Sequence, residues 1–171
     1  TAQIVVHWLS AVLIAFLLIT GTFVLSEMPN EPEKILHLAI HAGLGALVAA
    51  MLIVRVIMRL TLPSPNDGSD KGLDISVLSQ IALNSVIALM VISGLMLAVQ
   101  SQTIEAVLGL ANLPEDFEAF TPHEVHEVVA KLAMLLVALH VMSVLVQHFV
   151  RKSGVLNRMR LGASKATKQS E

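Results

Sequence analysis

The chain has 171 residues, of which 55% are hydrophobic and 14% charged, and it contains no cysteine. A soluble domain carries roughly 25% charged residues, so this composition excludes an ordinary soluble fold. A net charge of −2 with no basic stripe outside the tail excludes nucleic acid as a partner. Without cysteine there is no disulfide scaffold, thiolate metal site, iron–sulfur cluster or covalent c-type haem.

The apolar residues gather into four blocks, at 4–25, 35–60, 75–99 and 122–150. Each exceeds the roughly 20 residues needed to cross hydrocarbon, and a bilayer interior forces hydrogen bonding within each segment. The expectation is an all-α, integral membrane four-helix bundle of up-and-down topology, one domain over residues 1–171, with a basic tail at 151–171. The first block is read as a mature helix and not a secretory signal, because it is too long for an h-region and has no basic segment before it. Thr121 and Glu124, flanking Pro122, read as an N-cap and capping-box partner opening the fourth helix. Between the spans lie an acidic turn at 27–34, a Pro/Gly/Asp-rich loop at 63–74 and an acidic loop at 100–120. Within the last of these, residues 104–113 read as a short amphipathic helix lying on the membrane.

Orientation follows from the basic residues. Arg55, Arg59, Lys71, Arg151, Lys152, Arg158, Arg160, Lys165 and Lys168 fall on one side, and only Lys34 and Lys131 on the other. Both termini are therefore expected in the cytoplasm, with the chain multi-pass in a membrane. The outer side carries nine acids: Glu27, Glu31, Glu33, Glu105, Glu115, Asp116, Glu118, Glu124 and Glu127.

All seven histidines lie in or at the edge of a span, where ionisable groups are costly and usually functional. His126 and His140 are fourteen residues apart on the fourth helix, about 40° around it and about 21 Å along it. His41, running inward from the acidic side, falls near the depth of His126. His7, near the inner end of the first helix, falls near the depth of His140. Two imidazole pairs at two depths, without cysteine or carboxylate beside them, suit bis-histidine haem iron better than zinc or a hard cation. The fourteen-residue interval recurs from His41 to Arg55, where a guanidinium could meet a haem propionate. It recurs again from His7 to Gly21, where a missing side chain allows close approach. Gly45, one turn below His41, is expected to serve the same packing. Gln80 and Gly94 repeat the interval weakly on the third helix, which supplies no histidine.

Four further readings belong to single residues. His37, one turn above His41, is the rival ligand to pair with His126. His148, near the inner end of the fourth helix, is a snorkelling group or part of a quinone or proton site. His123 is interfacial. Lys131 lies about 140° around its helix from His126 and is expected to point outward.

The segments Gln3-Ile4-Val5-Val6-His7-Trp8-Leu9, Ile40-His41 followed by Gly45, Val54-Arg55 with Met58-Arg59-Leu60 and Pro63-Ser64-Pro65, and Val125-His126-Glu127 followed by Leu139-His140 together resemble the bacterial cytochrome b561 family. The resemblance runs over nearly the whole chain. It implies two b-type haems held through His7, His41, His126 and His140, exchanging electrons with quinone. The family includes a superoxide:ubiquinone oxidoreductase, from whose pattern the extra His37 and the acidic outer face depart. The leading expectation is transmembrane electron transfer between quinone and a cationic periplasmic protein such as a basic c-type cytochrome. Superoxide oxidation coupled to quinone reduction is the alternative, and a histidine-lined metal or proton transporter is a minor third.

Overall fold

The computed structural model describes residues 2–61, 75–150 and Lys152. The described residues are all-helical. Helix α1 (Ala2–Thr20) runs into a π-helical turn at Gly21–Leu25, and α2 spans Pro32–Thr61. They are followed by α3 (Ile75–Gln100), the short α4 (Thr103–Val107) and α5 (Thr121–Phe149). Four segments are long and apolar enough to cross a membrane: Ala2–Leu25, Pro32–Met58, Leu78–Gln100 and Thr121–Phe149. The chain is a four-helix membrane bundle. Large apolar side chains at mid-span stay uncovered on every long helix, as with Val12 (64% exposed), Ile53 (61%), Ile92 (54%) and Leu135 (56%). In water such a surface would aggregate; in hydrocarbon it is the solvated face.

Helix α3 packs chiefly along α5, and α1 along α2. The core is a small cluster of Leu18, Val48, Val86, Ile87, Val129 and Ala133. Val48 lies seven residues past His41, and Ala133 lies seven from both His126 and His140. The packed centre therefore falls midway between the two histidine depths. The basic tail from residue 153, Lys71 and the 63–74 loop lie outside the described residues.

Two local expectations are corrected. The fourth long helix takes Phe120, not Thr121, as its N-cap, with φ −105 and ψ 118, and no side chain caps it. Pro122, which lacks an N–H to satisfy, sits in the first turn, and the His123 amide bonds the Phe120 carbonyl at 2.9 Å. The capping box therefore does not form. The short helix expected over 104–113 stops at Val107. Gly109 adopts φ 74, the Leu110 amide bonds the Glu105 carbonyl at 2.8 Å, and the Gly109 amide bonds the Ala106 carbonyl at 3.0 Å. This is a Schellman stop, and glycine's freedom at positive φ sets its place.

Lys34 also departs from its expected role as a loop charge. It is only 7% exposed, and its Nζ donates to the Met28 carbonyl at 2.9 Å and to Asn30 Oδ1 at 2.8 Å. The ammonium lies 5.3 Å from the Phe117 ring centroid, and Asn30 Nδ2 donates to the Glu115 carbonyl at 3.0 Å. Lys34 thus fastens the α1–α2 turn to the loop preceding α5. Lys131 is an exposed ion pair with Glu127 one turn back. Lys34→Met should lower unfolding stability in detergent by about 1–3 kcal/mol, since a charged donor and a cation–π contact are lost together. Lys131→Met should leave stability nearly unchanged, as expected for an exposed i,i+4 pair. Thermal unfolding of the two variants compares them directly.

Candidate functional site: two facing histidine pairs

Antiparallel packing brings the two ends of the chain's helical part together. His7, in the second turn of α1, faces His140 of α5, with ring centroids 6.4 Å apart and ring planes at 60°. His41, in the third turn of α2, faces His126 of α5, with centroids again 6.4 Å apart and planes at 74°. Each pair joins two helices. The 1.5 Å rise of α5 separates the pairs by about 21 Å along the axis.

The separation of 6.4 Å has chemical content. It is too long for a stacked contact between the rings. The gap would leave room for both imidazoles of a pair to hold one metal ion between them. Zinc wants four protein ligands in a closed site; each pair here offers two. Among the described residues no three His, Asp or Glu side chains converge. Two imidazoles would leave the rest of a metal's coordination to a group the chain does not supply, as a haem would provide.

The surroundings of the outer pair fit the same requirement. A Cβ added at Gly21 would lie 3.1 Å from Cε1 of His41, and one at Gly94 would lie 3.0 Å from Cε1 of His126. Each ring is therefore backed by a glycine from a neighbouring helix. The π-helical turn beginning at Gly21 sets that backbone against His41; such turns widen a helix locally and recur at functional sites. His126 Nδ1 lies 3.0 Å from Ser93 Oγ. His41 Nδ1 is buried without a hydrogen-bond partner.

The remaining candidates divide. Arg55 lines a small cavity with Ser10, Asn84 and apolar side chains between α1, α2 and α3. A Cβ added at Gly45 would meet nothing within 4 Å, so this glycine leaves open space one turn below His41 and backs no ring. His37 is exposed, with Nδ1 3.2 Å from the Glu33 carbonyl, and takes no part in either ring pair. His148 meets Phe149 edge-on at 4.9 Å, and its buried Nδ1 has no hydrogen-bond partner. Trp8 meets the His7 ring edge-on at 5.8 Å. Ser93 is invisible to spacing, because a lone serine in an apolar helix reads as packing. Gly94 is visible only through the fourteen-residue interval.

A multi-pass helical bundle carrying facing imidazole pairs from different helices defines a membrane cytochrome of the b type. The chain matches the prokaryotic cytochrome b561 family over residues 1–162 and belongs to that family. Neither curated proteins nor solved structures give a match. Family membership implies haem b binding and transmembrane electron transfer in a multi-pass bacterial membrane protein.

Proposed function

We propose that the chain carries electrons across the bacterial inner membrane through two b-type haems. His7 and His140 would hold the cytoplasmic-side haem, and His41 and His126 the periplasmic-side one. The reading is carried by the two ring pairs, each 6.4 Å apart, a spacing at which both imidazoles of a pair would hold one haem iron. The haems supply the one-electron chemistry when bound. The chain's own residues hold and orient: four imidazoles provide ligands, and Gly21 and Gly94 allow close approach. The Arg55 guanidinium is the propionate partner on the inner side, and Gly45 leaves room for the outer macrocycle. The core around Val48 and Ala133 keeps water from the space between the sites. Both termini are assigned to the cytoplasm by the excess of basic residues on that side.

Quinone is the lipid-soluble partner, and a cationic periplasmic protein such as a basic c-type cytochrome is the other. The outer side bears nine acids. Of its two basic residues, Lys34 is buried and Lys131 is paired with Glu127. That field attracts a cation and repels an anion such as superoxide. Visible spectra of the purified protein, oxidised and dithionite-reduced, test the reading. A reduced b-type spectrum with about two haems per chain is expected, whereas a colourless protein or a ratio near one would overturn it. Stopped-flow mixing with superoxide should leave the haems oxidised; near-diffusional reduction would instead assign a superoxide:quinone oxidoreductase.

A further inference from the structure

Ser93 is buried in α3, 4% exposed, beside Gly94. Its Oγ lies 3.1 Å from the Met90 carbonyl oxygen and 3.0 Å from His126 Nδ1. A hydroxyl has one proton and a carbonyl can only accept. Both contacts are satisfied together when Ser93 donates to Met90 and accepts the Nδ1–H of His126. The ring proton then sits on Nδ1, and Nε2 keeps its lone pair. The Gly94 backbone lies close enough to the same ring that a Cβ would reach 3.0 Å from Cε1 and 3.3 Å from Nδ1. One helix turn of α3 thus fixes both the tautomer and the placement of a histidine on α5. His41 across the site differs: its Nδ1 is buried and unpartnered.

We propose that Ser93 is a positioning residue for the outer haem, acting through His126. It selects the Nδ1–H tautomer and, by accepting that proton's hydrogen bond, strengthens Nε2 as a donor to the iron. The inference rests on the haem reading above. A histidine that donates its second N–H is a more basic ligand, and loss of such an outer contact typically weakens metal binding about 10- to 100-fold. A more basic ligand favours the oxidised iron, so removing the acceptor should raise that haem's reduction potential.

The test is a redox titration and haem-retention measurement on the intact haem-loaded protein carrying Ser93→Ala. One of the two transitions should move upward, the other should stay in place, and the shifted haem should be lost about 10-fold more readily. Ser93→Thr, which keeps the hydroxyl, should restore both. Unmoved transitions in Ser93→Ala, or an equal shift of both, would overturn the inference, the second indicating general loosening. A parallel His126→Ala variant separates the two levels of argument. If it loses one haem while Ser93→Ala changes nothing, only the role of Ser93 fails; if it keeps both, the ligand assignment fails and the role of Ser93 with it.

Discussion

His126→Ala is expected to bind about one haem per chain in place of two, with the low-spin signal of the remaining haem intact. On the proposed ligation each haem would be held by two imidazoles from different helices, whose rings lie 6.4 Å apart in each pair, and His126→Ala would leave His41 to hold the outer one alone. His7→Ala should remove the other haem, and the double variant should be colourless. The two losses should add, because sites separated by about 21 Å with a packed core between them share no contact. Each lost haem should also lower the thermal unfolding temperature, since a group bound only by the folded state stabilises it by mass action. Haem-to-protein ratio, optical spectrum and thermal unfolding on the same three samples check this. Two haems retained in His126→Ala would remove that residue from the ligand set.

The second large effect is steric. In Gly94→Ala the new methyl carbon would stand 3.0 Å from Cε1 of His126, and in Gly21→Ala 3.1 Å from Cε1 of His41. Neither ring can retreat freely: His126 is tied to Ser93 at 3.0 Å, and each imidazole must keep facing its partner. Alanine should therefore loosen the outer haem, and leucine at either position should expel it while the inner one stays. Overpacking of a well-filled site costs typically about 1–3 kcal/mol, and here the imidazole is the group displaced. Gly43 is the control, since an added Cβ there meets nothing within 4 Å. Gly43→Ala should keep both haems and hold or slightly raise stability, by up to about 1 kcal/mol from helix propensity. Haem ratio and the low-spin signal distinguish the three positions; full occupancy in Gly94→Leu would sink the argument.

How much of this was legible in the sequence follows from which physics each feature obeys. The pairing of His7 with His140 and of His41 with His126 could be read along the chain. Once the spans alternate in direction, a fixed rise per residue converts sequence position into depth. Residues at equal depth on inward faces then meet. That His37 stands outside both ring pairs needed the structure. It shares almost the same face as His41 one turn away, yet it is exposed with Nδ1 3.2 Å from the Glu33 carbonyl. The fate of Lys34 was equally hidden: a lysine in a polar turn reads as solvated, and only the approach of Phe117 and Asn30 buries it.

By itself the sequence determined the number of spans, their alternation and the relative axial depth of the four paired histidines. These are one-dimensional quantities, set by hydrophobic length and helical rise. Tertiary structure alone decided which glycine backs which ring, that Ser93 holds His126, and that the short helix stops at Gly109. In a bilayer the lipid-facing side of a helix is as apolar as its packed side, so periodicity cannot report how each helix is turned toward its neighbours. The contacts that set ring orientation depend on that rotation, and only the assembled bundle fixes it.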